Sequence, residues 1–380
     1  MRFLHTADWH LGRILAGFDL LDAQRHALDA LAGIAAEEKP DAIVIAGDIY
    51  DRAVPPEDAV RTFDDILLRL AAIAPVLAIA GNHDSGGRID FGRRLLRKAG
   101  VHIAGTSRDG IERIDLADDH GTVAFHLMPY ATPEEVRSDL MRNDLRSHDD
   151  ATRARIATAD LTGTSRHVLV GHLFAQGGRE TKDSERDISV GGVSTVDPAV
   201  FGPFAYTALG HLHRPHQVGS DRVRYSGSLA RYSFAEEDHD KTVSVVEIDA
   251  AGGVAVREIP LPQKYGMRTL RGSFAAICGG VAADDRRDLD LVRILITDPI
   301  MVPSAHDQLR RAYPHLLAFS MEPSTAPASA TPAAPQFRQQ GEHEFVTKFL
   351  ADRYPEAVGD DIGRLARECM EQAINSQEAT

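Results

Sequence analysis

Five short stretches place oxygen and imidazole side chains directly after apolar runs. They are Asp8 with His10, Asp48, the run Gly81-Asn82-His83-Asp84, His172, and His211 with His213. No nucleophilic serine or cysteine accompanies them, so a covalent triad is unsupported. Hard oxygen together with imidazole suits manganese, iron or zinc, and the lack of cysteine disfavours a structural zinc cage. Asp8, His10, Asp48, Asn82, His172, His211 and His213 are too many ligands for one ion and sufficient for two, if a carboxylate is shared. Two ions ~3.5–4 Å apart clamp a phosphoryl group and lower the pKa of a water between them, so phosphoester hydrolysis is the reaction this set most directly serves. His83 adjoins a ligand and is held near the ions without having to bind one. There it can stabilise developing charge or protonate the leaving oxygen, with Asp84 fixing its tautomer. Asp51 reads either as a turn residue or as support for a ligand or substrate. The remaining histidines read as satisfied structural groups.

These residues need elements to position them. Residues 2–7, 41–46 with Ile43-Val44-Ile45, and the apolar run 76–80 read as short strands, each ending at or near the polar clusters. Between them, residues 19–38 and the stretch opened by Pro55-Pro56-Glu57 carry apolar residues at helical spacing. The order βαβαβ predicts a parallel sheet covered on both faces, with ligands outside the carboxyl ends of its strands. Asp8 and His10, two apart, share a direction if the chain stays extended. Further on, a helix is expected near 90–98. Strands at 101–104, 111–116 and 123–127 are expected in a second sheet, and 132–159 is expected to be mostly helical. Short strands at 167–170 and 206–209 lead into Gly171-His172 and Gly210-His211, with a polar, glycine-bounded loop at 177–192 between them. Strands at 222–225 and 242–248 close the domain near Pro260. Residues 263–323 read as a small α+β domain, with strands at 267–270, 291–297 and 316–321 and a helix near 304–313. A linker rich in Ser, Thr, Ala and Pro follows at 324–335. Helices at 342–354 and 361–373 then either pack back on the body or dock to another protein. The boundaries expected are 1–262, 263–323, a linker at 324–341, and 342–380.

At 380 residues the chain is long for one domain. Its 42 Lys and Arg against 56 Asp and Glu leave a net charge of −14. That balance opposes a whole-protein electrostatic grip on nucleic acid or on an anionic membrane. Cys278 and Cys369 stand far apart and read as ordinary thiols of a reducing compartment. The chain enters a strand at once, and no run approaches the ~18 apolar residues of a membrane span. The expectation is a cytoplasmic protein.

The clusters stand in the pattern Asp-x-His, Gly-Asp-x-x-Asp, Gly-Asn-His-Asp, Gly-His and Gly-His-x-His. With it the chain resembles the calcineurin-type metallophosphoesterases, which implies a two-sheet α/β sandwich. More narrowly it resembles the SbcD family, the nuclease subunits of bacterial SbcCD repair complexes. That likeness rests on Asp8-Trp9-His10-Leu11-Gly12, Ser184-Glu185-Arg186-Asp187 with Val190-Gly191-Gly192, Gly210-His211-Leu212-His213-Arg214-Pro215, and Tyr225-Ser226-Gly227-Ser228. It covers roughly residues 1–323; beyond them only the domain order matches. The resemblance implies that Asp8, His10, Asp48 and His213 hold one manganese ion. Asp48, Asn82, His172 and His211 would hold the other, with His83 assisting. It also implies exonuclease action on DNA ends and endonuclease action on single strands or hairpins. The implied assembly is a homodimer, within a heterotetramer, joined to the SMC-like ATPase SbcC, whose coiled coil receives the C-terminal helices.

Phosphate contacts need basic residues. Arg88, Arg93, Arg94, Arg97 and Lys98, then Arg222, Arg224 and Arg231, are the local candidates for DNA, each weighed against a solvated surface role. With so acidic a chain, weak DNA binding by the subunit alone is expected. A stand-alone phosphoesterase for nucleotides or other small substrates fits the site equally well, but has no evident need of the extra domain and terminal helices. A catalytically dead scaffold would have no chemical need of the intact ligand set.

Overall fold

Strands Arg2–Thr6, Ala42–Ala46 and Val76–Ile79 are buried along nearly their whole length. Both faces are covered, which is why Ala42–Ala46 and Val76–Ile79 are unbroken apolar runs. Leu4, Ile43, Ile45, Val76 and Ala78 meet helices Leu21–Glu38 and Glu57–Ala71 through Leu28, Leu31, Phe63, Ile66 and Leu70. The alternate residues Phe3, Val44, Ala46, Leu77 and Ile79 face a second sheet and pack on Phe125, Leu127, Val168, Val170 and Tyr206. The far side of that sheet is covered by Ile156, Phe201 and Phe204. The layers therefore run helix, sheet, sheet, helix. This computed structural model describes residues 1–181, 195–300 and 302–322. The rest of the expected 177–192 loop, the 324–335 linker and the two C-terminal helices lie outside them.

The first sheet runs, in order, Val254–Pro260, Thr242–Ile248, Arg2–Thr6, Ala42–Ala46, Val76–Ile79, Val101–Ala104. Its last four strands are parallel and its first two pair antiparallel. The second sheet runs His216–Val218, Ser220–Tyr225, Tyr206–Gly210, His167–His172, Gly121–Met128, Glu112–Asp118, with a parallel centre and antiparallel edges. Strand Val101–Ala104 thus belongs to the first sheet, not the second as expected. The chain between residues 80 and 100 is long enough to cross over and return parallel to Val76–Ile79. The single helix expected at 90–98 is instead two short helices, Gly86–Ile89 and Arg93–Leu96, and a 3₁₀ turn at Arg97–Ala99. Gly92, in the left-handed region at φ 76°, makes the break. The 132–159 stretch divides into Pro133–Leu140 and His148–Ile156, each opened by a capping box, Thr132 with Glu135 and Ser147 with Asp150.

Residues 1–321 form one compact unit. Within it, strands Gly266–Gly272, Asp290–Ile296 and Leu316–Met321 are all parallel and are linked by helices Phe274–Gly280 and Ala305–Ala312. This segment has its own core around Ile277, Ile294, Leu309 and Tyr313. Met267 and Leu291 also share an apolar cluster with Leu20, Tyr232 and Phe234. That shared cluster ties the small sheet to the chain on either side of the expected ligands.

Candidate metal centre

The carboxyl ends of both sheets open on the same place. Asp8, Asp48 and Asn82 follow three neighbouring strands of the first sheet, while His172 ends one strand of the second and His211 follows the next. The seam is held by cross-sheet hydrogen bonds: His172 Nδ1 donates to Ala46 O at 2.9 Å, and the His211 amide donates to Asp8 Oδ1 at 2.8 Å. The seven expected ligands and His83 are all brought to this one site.

The Asp8–His10 segment is not extended. Asp8 and His10 both adopt left-handed backbone, φ 53° and 46°, as do Asp48 at 49° and His211 at 106°. Non-glycine residues rarely sit there, and such positions persist where the surroundings over-determine them. The surroundings are visible. The Asp8 and His10 amides donate to Gly47 O and Asp48 O at 3.0 and 2.9 Å. Buried Gln24 accepts from the Gly12 amide at 3.0 Å and donates to Trp9 O and His10 O at 3.0 and 2.6 Å. The Tyr232 hydroxyl also donates to Trp9 O. Gly47 and Gly81 admit the close approach, because a Cβ at either would overlap His172 or Asp48 respectively.

Two groups of side chains bring ligand atoms within 4.8 Å of one another: His10, Asp48 and His83, and Asp8, Asp48 and His172. Asp48 belongs to both. Its Oδ2 lies 3.5 Å from His10 Nε2 and 3.4 Å from His172 Nε2. Asn82 Oδ1 lies 2.9 Å from His172 Nε2 and 3.2 Å from His211 Nδ1. His10 and His213 bring their Nε2 atoms to 3.1 Å of each other. Asp8 Oδ2 is buried with no hydrogen-bond partner. A buried unpaired carboxylate oxygen among converging nitrogen and oxygen donors fits a hard or borderline divalent cation.

The electrostatics agree. Burial would raise Asp48, but the charge and hydrogen bond of His172, then His10 and His83, hold it well below the usual carboxylate range. Burial pushes Asp8 up to about 6, against the pull of His172 and His213. Burial pulls His10 far down and His211 to about 3, keeping both imidazoles neutral. His172 moves oppositely, to about 9, because Asp48 and Asp8 outweigh its burial. The carboxylates ask for positive charge at this point.

The arrangement around His83 differs from expectation. Asp84 does not orient its ring; that carboxylate accepts the amides of Gly81, Tyr50 and Ile49 at 2.9, 2.9 and 3.1 Å. A short side chain beside a tight turn reaches backbone donors before it reaches the neighbouring ring. The His83 ring is set by its Nδ1 on Asp51 O at 2.7 Å, and its amide donates to Asp48 Oδ1 at 2.8 Å. Asp51 therefore contributes twice, since its Oδ1 also pairs with Arg13 at 2.8 Å.

Two further participants, Glu236 and Gln24, are not among the residues expected from sequence. His213 Nδ1 lies 3.0 Å from Glu236 Oε1. Glu236 is held far below the usual range, Lys241 and His213 outweighing burial. Nothing in the local sequence marks Glu236, whereas Gln24 had a signal: a glutamine in register with Leu21, Leu28 and Leu31 on the buried helix face. Of the basic candidates, Arg93 pairs with Asp109, Arg97 with Glu112 and Arg224 with Glu258. Arg231 donates to His239 O at 3.1 Å. Arg88, Arg94, Lys98 and Arg222 are exposed or partly exposed and make no ion pair among the described residues.

Comparison with known proteins follows the same lines. The calcineurin-like phosphoesterase family model matches residues 1–215, a span that holds all five clusters. The chain is 31% identical over 329 residues to the SbcD subunit of the SbcCD nuclease of Staphylococcus epidermidis, covering 84% of this chain and 85% of that one. Two solved structures are more distant. The protein TT1561 of Thermus thermophilus is 12% identical, with TM-score 0.38 over 68% of this chain and 98% of its own. A dimetal phosphatase from Danio rerio is 12% identical, with TM-score 0.40 over 69% and 99%. No helix among the described residues is long and apolar enough to cross a membrane. The family match and the relative's coverage agree with a buried oxygen and imidazole centre at the seam of two sheets: the chain belongs to the calcineurin-like phosphoesterases, in the SbcD family of nuclease subunits, and is a metal-dependent hydrolase of phosphoesters.

Proposed function

We propose that this chain is the nuclease subunit of an SbcCD-like complex, hydrolysing DNA phosphodiesters with two divalent cations, manganese by resemblance. The observation that carries the two-ion reading is that Asp48 belongs to both groups of converging ligand atoms. By resemblance, Asp8, His10, Asp48 and His213 would hold one ion, and Asp48, Asn82, His172 and His211 the other, although Asp8 converges most closely with Asp48 and His172. When bound, such ions supply Lewis acidity toward phosphoryl oxygens and activate water. The protein's own contribution is orientation. The neutral rings of His10 and His211 present lone pairs, and the His83 amide fixes Asp48, whose Oδ2 stands between His10 and His172. His83 Nδ1 donates to Asp51 O, so Nε2 is the ring atom left to serve the leaving oxygen.

The similarity to an SbcCD nuclease supports DNA as substrate, attacked at duplex ends and within single strands or hairpins during repair and recombination. It also supports a cytoplasmic homodimer joined to the SbcC ATPase. In this reading residues 1–262 form the nuclease domain, 263–323 cap it, and 342–380 dock to the ATPase. Because Arg93, Arg97 and Arg224 are already paired with acids, the isolated subunit grips DNA weakly and its partner supplies much of the hold.

The test is nucleotide release from end-labelled linear duplex with Mn²⁺, with and without the cognate ATPase and ATP. Release by the complex is expected, reduced about 10²–10⁴-fold in His83→Ala by loss of general acid catalysis. Undiminished release by that variant would remove the role given to His83. Turnover of nucleotides or other small phosphoesters, without any of DNA by the complex, would establish a stand-alone phosphoesterase instead.

A further inference from the structure

Glu236 and Lys241 lie past the residue 215 at which the family match ends, yet both are buried and both converge on His213. Glu236 Oε1 lies 3.0 Å from His213 Nδ1, while Glu236 Oε2 accepts from Lys241. Lys241 Nζ also donates to His213 O and to Ser228 Oγ, each at 2.9 Å. The Ser228 amide reaches the same His213 carbonyl at 3.2 Å. His213 is thus held at both ends, its ring by the carboxylate and its backbone by the ammonium. A carboxylate only accepts, so the ring must carry its proton on Nδ1. That leaves the Nε2 lone pair facing His10. His172 Nδ1 instead rests on the neutral carbonyl of Ala46, and His10 Nδ1 lies 3.6 Å from Asp51 Oδ1, beyond hydrogen-bond reach.

We propose that Glu236, neutralised by Lys241, is a positioning residue that fixes the His213 tautomer and makes the His10/His213 cation position the tighter of the two. A carboxylate behind an imidazole raises its basicity as a ligand more than a carbonyl does, and loss of such a partner costs about 10–100-fold in metal affinity. Lys241 lets that carboxylate stay ionised in a dry site and pins the strand-end loop through Ser228. The tightly turned motif Tyr225-Ser226-Gly227-Ser228 thereby gains a role: it delivers the hydroxyl and amide that meet Lys241 and His213.

This inference rests on the two-ion reading above, and the experiment separates the two. Calorimetric titration of the chelator-stripped full chain with Mn²⁺ is compared for the wild type, Glu236→Gln, and the double variant Glu236→Gln/Lys241→Met. The double variant removes both charges, so a fold lost through an uncompensated buried ammonium is restored. Nitrogen-15 spectra of the His213 ring report the tautomer independently of activity. The expected result is that one of two binding events weakens about 10–100-fold while the other stays within about twofold, and that the ring loses its pure Nδ1–H signature. A folded variant that binds both ions as the wild type does, with the His213 tautomer unchanged, overturns the role of Glu236 alone. A wild-type chain that takes up no cation overturns the site reading and this inference with it.

Discussion

Replacing Gly47 by alanine should cost far more than the same change at Gly17, although both glycines are left-handed, at φ 91° and 85°. The shared backbone term is about 1–2 kcal/mol for any residue with a Cβ. At Gly17 nothing lies within 4 Å of the added carbon, so that term is the whole effect. At Gly47 the carbon would overlap His172 Nδ1, lie 2.8 Å from its Cγ, and lie 3.0 Å from Gly81 Cα. The ring must then leave Ala46 O, and an unmade bond between two buried polar groups costs about 1–3 kcal/mol. Forced repacking adds about 1–3 kcal/mol. The excess over Gly17→Ala is therefore about 2–6 kcal/mol. Urea unfolding of both variants in EDTA measures it, since bound cations would add their own stability to the native state. Equal midpoint shifts for the two would refute the claim that His172 is seated through the absence of a side chain at Gly47.

Asp84→Asn should destabilise the EDTA-treated protein by about 2–4 kcal/mol, because an amide cannot accept all three amide protons that Asp84 now takes; an unchanged melting curve would refute that anchoring role. His5, between the sheets, is neutral, its Nε2 3.2 Å from Leu209 O and its Nδ1 3.1 Å from the Tyr206 hydroxyl. Burial lowers it to about 3. The unfolded chain therefore binds a proton from about pH 6.5 downward while the folded chain does not until about 3, so stability is full above pH 6.5 and is lost as pH falls through that window. His5→Gln should flatten the slope by up to about 1.4 kcal/mol per pH unit, read from urea melts across the window; parallel slopes would count against the buried neutral imidazole.

The ligand clusters were legible because burial on both faces makes a parallel strand an unbroken apolar run, and whatever polar group follows it stands at the strand end. Sheet membership was harder. Val101, Ile103 and Ala104 would be buried in either sheet, and periodicity reports burial without naming the neighbour. Gly92 concealed the broken helix for a related reason, since one glycine lowers helix propensity without announcing a stop. Gln24 was legible in principle as the polar residue on an apolar face. Glu236 and Lys241 were not, because a Glu and a Lys five residues apart in a loop usually face solvent, and only the fold turns both inward on His213.

The spacing of Asp8 and His10 implies a shared direction, and the structure reaches it by a conformation other than the extended one. Left-handed φ at both positions turns two ligands inward while Trp9 between them stays buried. Each such position costs about 1–3 kcal/mol. Four of them at one seam are sustained only because Gln24, Tyr232, Gly47 and the amide-to-carbonyl pairs between Asp8–His10 and Gly47–Asp48 leave no alternative. The supports are all protein groups, so the scaffold itself holds the strain. Ligand atoms held by so constrained a backbone are fixed in direction, which is the preorganisation that stabilising a charged phosphodiester requires.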